Sequence, residues 1–450
     1  MNIGDEFETV TEKFSNLGFG IAKIDGQVVF VENSCPDDRV KIQIKKINKN
    51  YAQAIVKKII TPSKFRTDNI CALQKVCGSC RLGFIEYDYQ LKLKHDIVFD
   101  TMQKIGHIDT PVNYPIQSPK TLNYRQKIQY PVSQTKNSKR LLIGYYKPQS
   151  HEIVNIKHCP IQPEICDNII DFIREKAQEF KITGYNEQKH SGILRHIVIR
   201  GSEYSGKFLI TFVINEKSAK LKEFAKYLYD NFEEISGVCA NYNNKKTNVI
   251  MSDKTECLIG NDYIEEKLLD KTFKIGANTF FQVNPKSAEN IFKYVKEEVA
   301  KSDSTSLLDA YAGIAAFGIT VSDCVKNVVS VEENSNSIEF AKDVLKTNNI
   351  KNVELYAQDT LKYLQSIKKK FDITILDPPR KGCSQTVLDE TLKHTKNKII
   401  YVSCNPATLA RDLKYLKENG CKIESIQPFD MFCHTYHIEN VAVINRGLDV

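Results

Sequence analysis

The sequence contains no run of about eighteen apolar residues, the length that a membrane-spanning helix requires. Its N-terminus, MNIGDEFETV, lacks the basic segment and following apolar segment of a secretory signal peptide. We therefore expect a cytoplasmic protein with no membrane partner. Because the cytosol keeps thiols reduced, we expect some of its thirteen cysteines to act as metal ligands or reactive groups rather than in disulfides.

Acidic residues are absent from positions 39 to 67, where nine lysines and arginines lie. A solvated face of an ordinary lysine-rich protein would have the same composition, and the alternative is a basic surface that follows a phosphate backbone. Residues 1–60 alternate short apolar segments with Gly and Asn turns, which predicts a small five-stranded barrel with strands at 18–22, 27–31, 40–47 and 51–60 among them. A basic run on such a barrel indicates an RNA-binding module.

The dinucleotide-binding fingerprint GxGxxG is also absent, although strands and helices alternate from about residue 273. A strand containing Asp309 ends in a turn with Gly313, and Glu332 closes the next strand, 23 residues after Asp309. In nucleotide-binding βαβ units such an acid binds the ribose hydroxyls, while the glycine allows close approach of the backbone to the ligand. Without a pyrophosphate fingerprint, the pattern favours a nucleoside ligand, and S-adenosylmethionine fits.

A cysteine follows an apolar strand near the C-terminus. Residues 399–402 run into the turn 403–406, with Cys404 at its second position, and a helical pattern follows. Strand ends face the ligand crevice of an open α/β sheet, and a helix N-terminus stabilises a thiolate, so we interpret Cys404 as reactive rather than structural. Asp377 ends the preceding apolar strand, which predicts that two strand ends converge on one site.

Three further cysteines, Cys71, Cys77 and Cys80, have the spacing C-x5-C-x2-C. They can wrap one face of a metal ion or cluster if a fourth ligand closes it. Cys159 is the first candidate for that ligand and Cys166 the second, and a structural zinc site is the alternative. A radical enzyme that cleaves S-adenosylmethionine is disfavoured by the spacing and by the fourth cysteine. In the same central region, cations beside aromatic or strand residues at 124–127, 139–140 and 195–200 predict a sheet that faces RNA.

Motifs over nearly the whole chain resemble the RNA (uracil-5-)-methyltransferase family. The stretch LGFGIA resembles TRAM domains, and the family motifs are CALQKVCGSC, DYQLKLK, NYRQKIQY, FFQVN, DAYAGIAAFG, DPPRKG, YVSCNPATLARDL and HTYHIENVAVI. The resemblance implies an α/β fold in three domains: a TRAM-like β-barrel at 1–60, a central α+β domain at 61–271 with a 4Fe-4S cluster and an RNA-binding sheet, and a class I S-adenosylmethionine-dependent methyltransferase domain at 272–450. It also implies a monomer.

The same resemblance assigns roles to matching positions. It implies that S-adenosylmethionine is bound by Gln282, Tyr311, Glu332 and Asp377, with Asp359 near the adenine. Cys404 matches the nucleophile and Glu439 the general base. The cluster ligands implied are Cys71, Cys77, Cys80 and Cys159, and the rRNA-directed branch carries this cluster whereas the bacterial tRNA-directed branch lacks it. The chain departs from the family at Ala315, where a glycine is usual, and at Ala316, where a polar residue is frequent.

The chemistry of the residues agrees with uridine methylation. Carbon 5 of uracil is a poor nucleophile until a thiolate adds to carbon 6, and a carboxylate must later remove the surplus hydrogen from carbon 5. We therefore expect methylation of 23S rRNA, with the tRNA T-loop as the alternative target. A 5-methylcytosine enzyme or an exocyclic-amine methylase would carry a different turn after the fourth strand, and a non-catalytic iron-sulfur RNA-binding protein would need neither Cys404 nor Glu439.

Overall fold

The computed structural model describes residues 1–447, which form two compact units. Unit 1 comprises residues 1–118, 404–414 and 425–440, and unit 2 comprises residues 119–403, 415–424 and the chain from 441. Within the described residues, no helix is both long and apolar enough to cross a membrane.

Unit 1 begins with a six-stranded sheet in the order β1-β5-β6-β4-β3-β2. Its strands are β1 (Glu6–Val10), β2 (Lys13–Phe14), β3 (Gly20–Ile24), β4 (Gln27–Glu32), β5 (Arg39–Ile47) and β6 (Tyr51–Thr61). Side chains alternate between the two faces of each strand, so Val40, Ile42 and Ile44 of β5 all enter the buried core. Four strands lie close to the predicted positions, whereas β1 and β2 were absent from the prediction.

Two helices follow in unit 1. Helix α1 (Gln74–Cys77) is one turn long and ends at Gly78, whose φ of +66° is left-handed. Helix α2 (Tyr87–Thr101) continues into a π-helical turn (Met102–Gly106). The buried face of α2 contains polar Gln90 and Lys94 beside its leucines.

Unit 2 contains a seven-stranded sheet in the order β13-β12-β11-β10-β7-β8-β9. The elements of this region are β7 (Lys127–Gln134), β8 (Leu141–Tyr146), β9 (Ile153–Asn155), α3 (Glu164–Lys176), β10 (Leu194–Gly201), β11 (Phe208–Ile214), α4 (Leu221–Asn231), β12 (Ile235–Tyr242), β13 (Thr255–Gly260) and the hairpin β14 (Tyr263–Leu268) and β15 (Lys271–Gly276). Strands β10 and β11 are buried over their whole length because they lie in the middle of the sheet.

A second seven-stranded sheet has the order β18-β17-β16-β19-β20-β22-β21. Its region contains α5 (Pro285–Ala300), β16 (Ser306–Ala310), α6 (Ala316–Thr320), β17 (Asn327–Glu332), α7 (Ser335–Thr347), β18 (Val353–Ala357), α8 (Thr360–Ser366), β19 (Phe371–Leu376), α9 (Gln385–His394), β20 (Thr395–Ser403), α10 (Pro406–Glu418), β21 (Cys421–Phe429) and β22 (Glu439–Arg446). Within this sheet, β18 pairs with β17, β17 with β16, β16 with β19 and β19 with β20, and all four pairs are parallel. Helices between parallel strands confirm the predicted α/β fold. Asn284 caps α5, its side chain accepting from the Ser287 N–H.

Candidate active site

The turn after β16 is held by two carboxylates. Asp309 is fully buried, and its Oδ2 accepts hydrogen bonds from the Gly318 N–H at 2.9 Å and the Ser330 hydroxyl at 3.1 Å. At the end of β17, Glu332 accepts from the Gly313 N–H through Oε2 and from the Asn334 N–H through Oε1, each at 2.9 Å. The two carboxylates therefore fix the backbone of the turn at the carboxyl end of the sheet.

This turn fits a nucleoside such as that of S-adenosylmethionine. Each carboxylate oxygen of Glu332 can accept a second hydrogen bond, which leaves capacity for ribose hydroxyls. Gly313 has a φ of +58°, and no heavy atom of the described chain lies within 4 Å of the place where a Cβ would stand. A ligand can thus approach the backbone there, in agreement with the prediction from the sequence.

The other predicted cofactor residues also belong to unit 2. Tyr311 follows β16 with a φ of +61°, and Gln282 is half-buried two residues before the N-cap of α5. Asp359 is the N-cap of α8, since its Oδ1 accepts from the Lys362 N–H at 3.0 Å. Asp377 directly follows β19 and donates its N–H to the Ala310 carbonyl.

Two of these carboxyl groups titrate near neutrality. Burial raises the pKa of Asp309 to about 7, and the charge of Glu332 contributes in the same direction. Burial also raises the pKa of Asp377 to about 7, with a further contribution from Asp309. The charge at this edge of the sheet therefore changes within the physiological pH range.

Ala315, which stands where the family usually has a glycine, has a left-handed backbone conformation. Ala315 adopts a φ of +57° and is completely buried immediately before α6. A left-handed conformation costs a residue with a Cβ about 1–2 kcal/mol, so the turn keeps a backbone shape that favours glycine without having one.

The predicted nucleophile and base belong to unit 1. Cys404 is half-buried directly after β20, and α10 begins two residues later at Pro406. The side chain of Asn405 accepts from the Ala407 N–H at 3.1 Å, which satisfies one amide at the helix start. Glu439 is 8% exposed and is the first residue of β22, the neighbour of β20 in the sheet.

The turn that precedes Glu439 is anchored to α2 within unit 1. Lys94 and Asp430 are both fully buried and form an ion pair of 2.6 Å, and Lys94 also donates to the Phe432 carbonyl at 3.0 Å. Tyr87 donates to Asp430 at 2.9 Å. Gln90 accepts from the His434 N–H at 3.0 Å, so one face of α2 binds the segment 430–434 at three points.

The predicted cluster cysteines lie in both units. Cys77 is the last residue of α1 in unit 1, with Cys71 before the helix and Cys80 after it, and the Leu73 N–H donates to the Cys71 sulfur at 3.4 Å. Cys159 is buried in unit 2, and its N–H donates to Asp167 at 3.2 Å. Within residues 1–447, no three or more His, Cys, Asp or Glu side chains are arranged to hold a metal ion, so the iron-sulfur cluster stays a prediction from the sequence.

Part of the predicted RNA-facing sheet is wrong. Arg195 is buried and donates to the carbonyls of Asn243, Lys245 and Thr247, so it holds a loop rather than RNA. Burial lowers the pKa of neighbouring His196 to about 4, which keeps this ring neutral. The sequence pattern located these cations on a strand but gave no sign that both faces of the strand are covered.

The predicted basic run on β5 and β6 is partly neutralised. Arg39 pairs with Glu8, Lys41 with Glu6 and Arg66 with Asp38. The exposed cations of this run for which the structure records no ion pair with the described residues are Lys45, Lys46, Lys49, Lys57, Lys58 and Lys64. These six lysines make the surface around β5 and β6 basic.

Comparison with known proteins decides the family. A model of the tRNA (uracil-5-)-methyltransferase family matches residues 204–446, and a model of the TRAM domain matches residues 3–57. The chain belongs to this RNA (uracil-5-)-methyltransferase family. The methyltransferase is therefore an S-adenosylmethionine-dependent enzyme with an N-terminal TRAM domain, as its motifs predicted.

Relatives of the methyltransferase match it over nearly its whole length. An uncharacterized RNA methyltransferase of Bacillus cereus is 35% identical over 444 residues, which cover 97% of this chain and 96% of the relative. An uncharacterized RNA methyltransferase of Clostridium acetobutylicum is 34% identical over 449 residues, which cover 98% of this chain and 97% of the relative. The solved tRNA (uracil-54, C5)-methyltransferase of Pyrococcus abyssi, in complex with S-adenosyl-L-homocysteine, is 27% identical with a TM-score of 0.76, covering 97% of this chain and 100% of that one.

Proposed function

We propose that the methyltransferase transfers a methyl group from S-adenosylmethionine to carbon 5 of a uridine in 23S rRNA. The position of Cys404, directly after a parallel strand and before the N-terminus of α10, is the observation that carries the proposal. The four predicted cluster cysteines support rRNA as the target, because the rRNA-directed branch of the family carries the cluster. We further infer that the enzyme acts in the cytoplasm as a monomer.

Cys404 begins the reaction. Its thiolate forms a bond to carbon 6 of uracil, and the electrons of the carbon 5–carbon 6 double bond then make carbon 5 nucleophilic. The N-terminus of α10 favours the thiolate over the thiol. Bound S-adenosylmethionine would supply an electrophilic methyl group to carbon 5, with cleavage of its sulfur–methyl bond and S-adenosylhomocysteine as the leaving group.

Glu439 completes the reaction. Methylated carbon 5 carries a surplus hydrogen, and a carboxylate must take this proton before the bond between carbon 6 and the Cys404 sulfur breaks. Glu439 suits this role because the residue is only 8% exposed, so its carboxylate is shielded from water. The uridine must leave its stack for both residues to reach it, which favours a loop in the RNA.

A tRNA T-loop uridine is the second candidate target. The similarity to the Pyrococcus abyssi tRNA (uracil-54, C5)-methyltransferase supports it. Incubation of anaerobically purified enzyme with tritiated S-adenosylmethionine and unmodified 23S rRNA or bulk tRNA, followed by nucleoside analysis, separates the two. Label in 5-methyluridine from rRNA supports the proposal, label from tRNA supports the alternative, and label in cytidine or adenosine contradicts both.

The roles of Cys404 and Glu439 have a direct test. With Glu439→Gln, we expect a covalent RNA–protein adduct that survives a denaturing gel, because the proton on carbon 5 stays in place. The double variant with Cys404→Ser should form none. Free release of methylated RNA by Glu439→Gln would remove Glu439 from the base role.

We also propose that Cys71, Cys77, Cys80 and Cys159 hold a 4Fe-4S cluster that is structural, and no step of the reaction passes through it. The backbone N–H directed at the Cys71 sulfur is the type of hydrogen bond that cluster ligands accept. Iron and acid-labile sulfide should be present in anaerobically purified enzyme, be lost in Cys77→Ala and be kept in Cys257→Ala, which changes an exposed cysteine of β13. Full iron content in Cys77→Ala would contradict this assignment.

A further inference from the structure

Two cysteines lie opposite each other at one edge of the sheet that β7 to β13 form. Strand β13 is the edge strand of this sheet, and Cys257 of β13 is the register partner of Cys239 of β12 in an antiparallel pair. The Cα atoms of such partners are about 4.5 or 5.5 Å apart, and their side chains point to the same face of the sheet. Disulfides span Cα separations of about 4.4–6.8 Å, so the spacing of the two backbones permits a bond between these sulfurs.

A β-bulge lies next to this pair. The register shifts at Cys239, which leaves Leu258 as an extra residue on β13. A bulge increases the local twist and changes the direction of the side chains beside it. In the reduced protein the Cys257 thiol donates to the carbonyls of Ile259 at 3.5 Å and Gly260 at 3.4 Å. A thiol is a weak donor, so rotation of this side chain towards Cys239 gives up little hydrogen-bond energy.

The two thiols differ in exposure. Cys257 is exposed, whereas Cys239 is completely buried. Burial raises the pKa of both thiols, and hydrogen bonding between the two side chains adds to the rise at Cys239 and opposes it at Cys257. A dissolved oxidant therefore reaches Cys257, which is also the thiol that ionises first, while Cys239 reacts only with a partner inside the fold.

The hairpin that this pair would close is tied to the segment before α5. Residues 243–254 join β12 to β13. The side chain of Asn278 donates to the Ser252 carbonyl at 2.9 Å and accepts from the Thr255 hydroxyl at 2.8 Å. An edge strand has ladder hydrogen bonds on one side alone, so β13 is held less firmly than the interior strands. A covalent bond to β12 would hold β13 where Asn278 contacts the hairpin.

We propose that Cys239 and Cys257 form a reversible disulfide that fixes β13 to β12 when the protein meets a peroxide. The Cys257 thiolate attacks one oxygen of hydrogen peroxide, the oxygen–oxygen bond breaks, and the hydroxide that leaves takes up a proton to become water. The Cys239 sulfur then attacks the sulfur of the Cys257 sulfenic acid. The sulfur–oxygen bond breaks, and its hydroxyl group leaves as water with the proton of the Cys239 thiol. The two sulfurs together give two electrons to the peroxide.

Peptide mapping tests the bond itself. Anaerobically purified enzyme is treated with hydrogen peroxide, its free thiols are alkylated, and its peptides are analysed by mass spectrometry without reduction. We expect a peptide joined through Cys239 and Cys257 that dithiothreitol separates. The matched control Cys324→Ser, which changes a partly exposed cysteine between α6 and β17, should keep the joined peptide. In Cys239→Ser, Cys257 should remain a sulfenic acid that a cyclic 1,3-diketone traps.

Hydrogen exchange tests the effect on β13. Its amides should exchange roughly tenfold more slowly in the oxidised wild type than in the reduced wild type, because the disulfide opposes local opening of the hairpin. Peroxide should leave the exchange of β13 unchanged in Cys257→Ser, which separates the disulfide from damage elsewhere in the chain.

The wild type alone decides against the proposal in three ways. Absence of the joined peptide while other thiols are oxidised would overturn it, as would a Cys257 joined to a cysteine other than Cys239. A disulfide that forms without slowing exchange in β13 would overturn its role in fixing the edge strand.

Discussion

Lys94 in unit 1 and Lys127 in unit 2 show opposite solutions to the burial of an ammonium group. Lys94 is fully buried and meets the carboxylate of Asp430 at 2.6 Å and the Phe432 carbonyl at 3.0 Å. Lys127 is half-buried, is the register partner of Arg200 and has no recorded side-chain partner in residues 1–447. The first lysine has its counter-charge inside the fold, whereas the second has no recorded ion-pair partner among the described residues.

The difference shows how a buried cation with a counter-charge differs in its effect on stability from one without a recorded counter-charge. A buried charge that is paired and hydrogen-bonded holds two segments together, and its loss is felt in stability. A buried charge left without a partner costs stability in the free protein, because burial takes it out of water without a compensating interaction. The following predictions test this distinction by their effect on the free energy of unfolding.

Lys94→Met should have the largest effect. It leaves the carboxylate of Asp430 buried without its cation, and the free energy of unfolding should fall by about 3–5 kcal/mol. Urea unfolding followed by circular dichroism measures it. Adding Asp430→Asn should restore part of the lost stability. A loss below about 1 kcal/mol in the single variant would contradict a stabilising role of the buried ion pair.

Lys127→Met should act in the opposite direction. The folded-state pKa of about 7 lies below the value near 10.4 of an unfolded lysine, so the unfolded chain binds more protons between these values and wild-type stability rises with pH across that window. The variant should therefore be more stable than the wild type by about 1 kcal/mol at pH 6.5, with the difference shrinking towards pH 10. Parallel unfolding curves at pH 6.5 and 9.5 measure it, and a variant less stable at both values would contradict the distinction.

Lys92→Ala should have the smallest effect. Lys92 pairs with Asp96 one turn later on α2, but both side chains are about half exposed. Solvent-exposed pairs of this kind contribute about 0.3–0.5 kcal/mol, and salt screens them. The same urea assay at low and high salt checks it, and a loss near that of Lys94→Met would mean that position on α2, rather than burial, decides the cost.

Sequence patterns located the second sheet and its strand ends well. The strands preceding Gly313, Asp377 and Cys404 were predicted within a few residues, because parallel strands buried on both faces have continuous apolar runs. The position of Glu332 at the end of β17 was predicted from the spacing, and its role in binding ribose stays a prediction.

Burial and pairing of charges could not be predicted in the same way. Lys94 lies in the stretch QLKLK, where nothing marks one lysine as buried and its neighbour Lys92 as exposed. Its partner Asp430 is 336 residues away in sequence. The edge strands β1 and β2 also escaped prediction, since short, exposed strands have little apolar pattern.

The ion pair between Lys94 and Asp430 also bears on how the chain is made. A ribosome releases the helix containing Lys94 long before the last part of unit 1, residues 425–440, leaves the exit tunnel. Until then the lysine has no counter-ion, and the first 118 residues lack segments that complete their core. Unit 1 therefore reaches its final form only near the end of synthesis, and a chain stopped shortly before Asp430 would keep an incomplete unit 1 exposed to proteases.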